Sequence, residues 1–498
     1  MDTPISNKDK IQKKMRISSS ILYITLGAAS GTLFLWLSSY VFAEGEIHIG
    51  RSVFGNIPKF IQYSFYLTTI VTILITGYLF SLRSKNWERG LPERRNKLYG
   101  DRFIQLFKAL NMDTVRRFKA AGLMHSLIYV GFIILFIGTV TLEIHHLMPP
   151  TYKFLQGFTY QIYSAILDAA SLMYIFGLTW ALYRRFFTSE ERIRSKTLND
   201  DFLTLLVLLF IGISGLTTEA ARIALVNRPS FEVWSFVGYP LSFLIPDNIA
   251  SQFHQISWVL HVMSFFVFLI LLPITKLRHI ITSPMNMYLS PQVKHKGAMS
   301  DMGNLLEATD METIGAANIE DFTWKQLFDL DACTVCGRCT SVCPANATGK
   351  MLDPREIVLK IGQVMSESGS PPVSPTVTNT TDLKVSSSSV FELITPEEIW
   401  ACTSCKACDE ICPVNIEILD KILDIRRYLA LMASEFPPEL GKAYVAMENS
   451  SNPWGASQDK RLDWTKELDF EVPVLGQPGT ETTEYLYWIG CAGAFDDR

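Results

Sequence analysis

Eight of the nine cysteines fall into two copies of one spacing, Cys333, Cys336, Cys339, Cys343-Pro344 and Cys402, Cys405, Cys408, Cys412-Pro413. Each copy reads C-x2-C-x2-C-x3-C-P, a ligand run for a [4Fe-4S] cubane, and where two such runs occur the fourth thiolate of each reaches the other cluster. The short spacings let three consecutive thiolates wrap one corner of a cubane. The proline ends that turn and directs the fourth sulfur away. The expected ligand sets are therefore Cys333, Cys336, Cys339 and Cys412 for one cluster, and Cys402, Cys405, Cys408 and Cys343 for the other. C-x2-C pairs also bind zinc, but a zinc site does not call for four cysteines followed by proline, twice over. The chemistry such residues support is one-electron transfer.

With eight cysteines used in this way, a disulfide framework would compete with the clusters, so the cysteine domain is expected to face a reducing compartment. The net charge of −4 averages two unlike halves. The first 280 or so residues are strongly apolar and the remainder is polar, punctuated by Pro, Ser and Thr. A length of 498 residues leaves room for about three domains, and no nucleic-acid partner is expected.

A helix needs roughly 20 apolar residues to cross a bilayer. Runs of that length occur at about Ser18 to Phe42, Phe60 to Leu82, Gly122 to Ile144, Ile162 to Leu182, Phe202 to Leu225 and His254 to Leu277, giving six expected spans. Basic residues alternate between the loops as the positive-inside rule requires. Lys8, Lys10, Lys13, Lys14 and Arg16 precede span one, Arg83, Lys85, Arg94, Arg95, Lys97, Arg116 and Arg117 lie between spans two and three, and Arg184, Arg185, Arg192, Arg194 and Lys196 lie between four and five. The other loops carry only Arg51 and Lys59, then Lys153, then Arg228. Both termini and the cysteine domain are thus expected on the cytoplasmic side. Val41-Phe42-Ala43 resembles a signal cleavage site, but the apolar run before it is longer than a signal core.

Histidine is scarce, eight in the chain, and its placement is informative. His261 and His279 are 18 residues apart, five helical turns and about 27 Å along one helix face. Span three carries His125 near its cytoplasmic end and His145-His146 at its outer end. At about 100° per residue, His146 falls about 60° from the direction of His125 and His145 about 160° from it, so His146 is preferred. Spans three and six are antiparallel, which pairs His125 with His279 inside and His146 with His261 outside. Two bis-histidine haem b sites result, stacked across a helical bundle. Membrane histidines also line proton paths or bond between helices, but four at matching depths favour haem. His48 and His295 read as solvated, and His254 is left undecided. Quinone reduction consumes protons, and ionisable groups at membrane depth mark function or a partner. Glu219, with Arg222 three residues on, and Asp168 are the quinone-site candidates, each with a structural alternative in helix pairing.

The expected fold is an all-α polytopic membrane bundle of six spans followed by a small α-helical domain with a bacterial-type 2×[4Fe-4S] ferredoxin core. Its parts are an N-terminal transmembrane helix at 1–45, a haem b membrane domain at 55–285, a linker at 286–321, the cluster domain at 322–440 and a final segment at 441–498. The segment 366–389, dense in Ser, Thr and Pro, reads as an insertion between the cluster motifs.

The spans bearing His125, His146, His261 and His279 resemble the haem b subunit of respiratory nitrate reductase and the related membrane subunit of methanogen heterodisulfide reductase. The cysteine runs resemble the ferredoxin-like subunit of the latter. The fused order resembles bacterial membrane iron-sulfur oxidoreductases that include electron-transfer flavoprotein:methylmenaquinone oxidoreductases. The resemblance implies a protein of the bacterial cytoplasmic membrane that passes electrons between a cytoplasmic donor such as electron-transfer flavoprotein, two [4Fe-4S] clusters, two haems b and a menaquinone-type quinone pool. Alternatives are a quinol-linked heterodisulfide or sulfur-compound reductase, and a conducting subunit without substrate chemistry of its own. Family members continue into cysteine-rich CCG domains, whose opening resembles Tyr485 to Arg498. By that resemblance Cys491 begins a CCG domain that is missing here, and by itself it reads as a free thiol.

Two cubanes require about eight cluster irons per chain. Cys343→Ser is expected to damage the cluster held mainly by the second run and spare the first. Zinc in place of iron on elemental analysis, or no cubane EPR signal on reduction, would contradict the assignment.

Overall fold

The computed structural model describes residues 17–38, 49–93, 99–188, 199–290, 314–369 and 385–496. The N-terminal basic cluster, Val41-Phe42-Ala43, Arg94, Arg95, Lys97, Arg192, Arg194, Lys196, His48, His295 and most of the Ser/Thr/Pro insertion lie outside them. Among the described residues the chain is helical with no strands, and only two isolated bridges occur, Leu91 with Thr323 and Asn318 with Ser389. It divides into two compact units, residues 1–425 and 426–498.

Five helices of the first unit are long and apolar enough to cross a membrane: α2 (Lys59–Trp87), α4 (Lys119–Leu147), α5 (Phe158–Phe186), α6 (Asn199–Leu225) and α7 (Ala250–Ile274). The expected first span corresponds to α1 (Ile17–Ser38), whose described apolar stretch, Ile17–Leu33, is shorter than those five. The rest of that span, Ser39 to Phe42, lies outside the described residues. The helices pack as α1 on α2, α4 on α5, α5 on α6, and α7 on both α6 and α2. Small residues bring backbones close where a membrane offers no hydrophobic drive between helices. A Cβ on Gly131 would meet the Ala170 carbonyl oxygen at 2.9 Å, and one on Gly177 would meet Ile128 at 2.8 Å, fixing the α4–α5 crossing. Across from that pair, Phe132 of α4 meets Phe268 of α7 with ring centroids 5.8 Å apart.

The last span ends earlier than its hydropathy suggests. Pro273 closes α7, Thr275 turns extended (φ −114°, ψ −177°), and its hydroxyl accepts from the Leu277 amide to cap a short 3-10 turn at Lys276–Arg278. His279 therefore opens a new helix, α8 (His279–Leu289), rather than continuing the face of His261. The single-helix spacing argument for these two residues does not hold. Proline cannot donate the amide a helix interior needs, and here the helix stops one residue after it. Helix α8 packs on α3 (Tyr99–Leu110).

Beyond the basal end of the bundle, α9 (Trp324–Ala332) begins in a capping box, Thr323 accepting from the Gln326 amide and the Gln326 side chain from the Thr323 amide. It is held against the membrane helices and against its own domain by two buried aspartates. Asp331 accepts from Arg83 Nε (2.7 Å) and Trp87 Nε1 (2.7 Å) of α2, and from Arg278 Nη1 (3.1 Å) before α8. Asp329 accepts from Lys421 (2.7 Å) of α13 (Ile418–Leu431) and from Lys325 of its own helix. Burial opposes ionisation of both carboxyls, yet the cations around them hold each below the usual carboxylate range. Gly90 lets the chain after α2 lie flat on α9: Leu91 and Phe322–Trp324 exchange backbone hydrogen bonds, and a Cβ on Gly90 would meet the Trp324 nitrogen at 2.6 Å. Ile319, Phe322, Leu327, Ile357, Ile361 and Val364 are fully buried around α9 and α11 (Pro354–Glu367), each such side chain contributing roughly 1.5–3 kcal/mol.

Removing one partner of a buried ion pair strands the others, so Asp331→Ala is expected to destabilise the domain junction by about 3–5 kcal/mol. Thermal unfolding of the purified protein checks this. A transition unchanged from that of the unmodified protein would contradict it.

Candidate electron-transfer centres

The two cysteine loops adopt the same backbone. In the first, Val335 (φ 54°) and Gly337 (φ 69°) flank Cys336 in the left-handed region, and in the second Ser404 (φ 57°) and Lys406 (φ 63°) flank Cys405 in the same way. Alternating left-handed residues turn successive amides to one side and form a concavity suited to an anionic cluster. A short helix follows each loop, α10 (Arg338–Val342) and α12 (Ala407–Ile411), and the two pack on each other. That pairing carries the fourth cysteine of each run across to the other loop.

Cys333, Cys336, Cys339 and Cys412 ring one space, together with Arg338, Arg355, Val358 and Ile416. Cys343, Cys402, Cys405 and Cys408 ring a second, with Lys406, Leu419 and Ile422. The structure thus gathers the cysteines into the two crossed sets expected from their spacing. Among the described residues no three His, Cys, Asp or Glu side chains converge as they would on one metal ion; the thiols surround a space instead. Amides of Ile416 and Ser404 point at the sulfurs of Cys412 and Cys402, each at 3.4 Å. Burial pushes the Cys333 thiol up to about 12 and raises Cys339, Cys408 and Cys412 as well, with Asp409 adding to the effect at Cys408. Such thiols would bind an iron-sulfur core as thiolates, releasing their protons to solvent, because metal binding and deprotonation are coupled.

The first cavity lies against the basal end of the bundle. Thr282 and Ser283 of α8 donate to the carbonyls of Asp331 and Ala332, just before Cys333. Asn286 donates to the Val414 carbonyl and Thr114 to that of Pro413, just after Cys412. Cys405, in the second cavity, is exposed.

His125 and His279 lie within electrostatic reach of each other at this same end. Nδ1 of His279 is 2.6 Å from the Lys276 carbonyl, and Nδ1 of His125 is 3.2 Å from Met112 Sδ. Acceptors at Nδ1 place the ring proton there and leave Nε2 available to a metal, the usual outer-shell arrangement of a ligating imidazole. His261 shares it: Ser214 donates to the Ile211 carbonyl (3.2 Å), so its oxygen accepts from His261 Nδ1 (3.0 Å). His145 is the reverse case. Its Nδ1 accepts from the Leu155 amide (3.1 Å), which puts the proton of the neutral ring on Nε2. His146 packs on Phe54 (centroids 5.1 Å apart), which also touches Trp258 of α7.

At the distal end Arg222, weighed as a helix partner of Glu219, makes its short ion pair elsewhere. Arg222 pairs with Glu232 (2.5 Å), a fully buried loop residue that also accepts from the Tyr160 hydroxyl (2.9 Å). Asp168, fully buried, accepts from the amides of Val237 (2.6 Å) and Gly238 (3.2 Å). Glu219 accepts from Ser235 (3.1 Å), and a Cβ on Gly238 would meet its carboxyl carbon at 2.9 Å. The two candidate acids therefore converge on Gly238. Sequence reading missed Glu232, which sits in a short 3-10 turn between α6 and α7 with no periodic signal. It also missed Glu143, which accepts from Tyr66 (2.8 Å) and was legible as an acid inside an apolar run.

Residues 111–296 match the family model described as nitrate reductase gamma subunit, and residues 332–417 that of the 4Fe-4S dicluster domain. Over 478 residues, 87% of this chain and 65% of the relative, the chain is 30% identical to a protein described as a probable iron-sulfur-binding oxidoreductase, FadF, of Bacillus subtilis. It is 29% identical over 490 residues, 91% of this chain and 66% of the relative, to the EtfAB:quinone oxidoreductase of Syntrophomonas wolfei. It is 24% identical over 187 residues, 36% of this chain and 41% of the relative, to a component of the dihydromethanophenazine:CoB--CoM heterodisulfide reductase of Methanosarcina mazei. The chain spans just under two thirds of the length of the first two relatives, and no solved structure matches it. In its order of domains, a nitrate reductase gamma-type region preceding a 4Fe-4S dicluster region, the chain resembles the fused membrane iron-sulfur oxidoreductases.

Proposed function

We propose that this chain passes electrons between a soluble cytoplasmic donor and the quinone pool of a bacterial cytoplasmic membrane, with electron-transfer flavoprotein as the donor and both described ends of the chain cytoplasmic. Two [4Fe-4S] clusters and two haems b supply the one-electron carriers when bound. The observation that carries the reading is the alignment at the basal end: the chain that lines the first cysteine cavity is hydrogen-bonded to α8, whose first residue is His279, and His279 lies within electrostatic reach of His125.

In this reading Cys333, Cys336, Cys339 and Cys412 hold the cluster nearer the membrane, and Cys402, Cys405, Cys408 and Cys343 the outlying one, whose exposed Cys405 suits it to meet a soluble donor. His125 and His279 are the inner axial ligands. His146, and not His145, is the outer ligand on α4, as the Leu155 bond to His145 Nδ1 favours. On α7 two readings remain. Ser214 orients His261 for ligation, whereas depth favours His254. Counting from the Phe132–Phe268 contact, His146 and His254 each lie 14 residues away, about 21 Å, and His261 only about half as far. Asp168 and Glu219 are the proton-handling candidates for the quinone, converging on Gly238 in the distal half. A quinol-linked sulfur-compound reductase would use the same carriers in reverse, and the likeness to a heterodisulfide reductase component is what favours it.

His279→Ala is expected to remove one of two haems in a pyridine haemochrome assay, and His146→Ala the other. Of His254→Ala and His261→Ala, the one that lowers the haem count names the α7 ligand. One haem or none in the unmodified protein would contradict the scheme. Glu219→Gln is expected to slow quinone turnover with haem spectra and cluster content intact; unchanged kinetics there and in Asp168→Asn would move the quinone site to the basal end.

A further inference from the structure

Arg338 stands within reach of two candidate centres at once. It opens α10 immediately before Cys339, is buried, and lines the first cysteine cavity. Its guanidinium carbon lies 4.0 Å from the ring centroid of Phe118, the residue that precedes α4, and Nη1 donates to the Thr114 carbonyl at 3.5 Å. His125, two turns into α4, is within its electrostatic reach. The other charges near this cavity are Arg355, paired with Asp353 (3.5 Å) and Glu356 (3.4 Å), and Lys276, paired with Asp201 (2.9 Å). Near the second cavity stand Lys406 and Asp409, whose carboxylate lies 3.7 Å from Cys408 Sγ.

Reduction adds an electron, and a neighbouring cation inside a low-dielectric domain stabilises the reduced form, while a carboxylate destabilises it. Resting on the reading above, we propose that Arg338 gives a cluster in the Cys333/Cys336/Cys339/Cys412 cavity a higher reduction potential than one in the Cys343/Cys402/Cys405/Cys408 cavity, and so directs electrons toward the membrane. In each transfer the second-cavity cluster gives up one electron and is oxidised, and the first-cavity cluster takes it and is reduced. No bond or proton moves in that step. The electron comes from the reduced flavin of a soluble flavoprotein and leaves to a quinone.

The test is a potentiometric titration of the full chain, followed by cubane EPR and haem absorbance, with Arg338→Gln and Arg338→Lys. In the unmodified protein two cubane signals titrate apart, and the higher one is that altered by Cys412→Ser. Arg338→Gln makes reduction of that cluster and of the His125 haem about tenfold less favourable, about 59 mV for one electron. The second-cavity cluster and the distal haem keep their potentials, and Arg338→Lys keeps all four. Equal or reversed cluster potentials in the unmodified protein overturn the proposal, even if Arg338→Gln does not assemble. So do unchanged potentials in Arg338→Gln, a common shift of all four centres, or a lysine variant that behaves as the glutamine one. Absence of any cubane signal from the unmodified protein would instead bring down the reading of the cavities themselves.

Discussion

One buried carboxylate, Asp331, joins the two chemistries of this chain. Three donors from membrane helices or their immediate extensions, Arg83, Trp87 and Arg278, close on it. It lies two residues before Cys333, and Arg278 lies one residue before His279. A shift at this carboxylate would therefore move Cys333 and His279, the proposed cluster and haem ligands, together. Electron transfer between separate carriers depends on their spacing, and spacing needs a junction that does not flex. An ion pair of this kind does not guarantee net stability, because desolvation offsets much of its attraction. What it does provide is a unique geometry, since any other arrangement leaves a charge buried without a partner.

The same helix serves the interior of the cluster domain. Asp331 faces the membrane helices, while Asp329 faces Lys421 of α13 and accepts from the Glu417 amide. Helix α13 follows Cys412 and α9 precedes Cys333, so the two ends of the first ligand set are clamped to one nine-residue helix. Both sets depend on the α10–α12 contact, and Leu419 and Ile422 of α13 line the second cavity as well. The first cavity is in addition hydrogen-bonded to the bundle through α8, whereas the second presents an exposed Cys405, an order that suits a path running from a soluble partner inward.

The gathering of the cysteines into two crossed groups was legible in the sequence, because their spacing encodes a local loop and the repeat encodes the crossing. Five of the spans were legible for the same reason, since twenty apolar residues have few other uses. The helix phases were less so. A single extended residue, Thr275, took His279 off the helix of His261, and hydropathy runs straight through that break. The choice between His145 and His146 rested on wheel angles, whereas the structure offers a chemical argument, the amide of Leu155 occupying His145 Nδ1. Arg222 and Glu232 could not have been paired by periodicity, because their partnership depends on how the segment between α6 and α7 folds back over the bundle.

The most direct test of the electron path is rapid mixing of the full-length protein with reduced electron-transfer flavoprotein, while cluster and haem spectra are followed together. The account expects cluster reduction first, the haem of His125 and His279 next, and the distal haem last, with Cys343→Ser blocking haem reduction by the flavoprotein but not by menaquinol. Haems reduced by the flavoprotein as fast in Cys343→Ser as in the unmodified chain would contradict it.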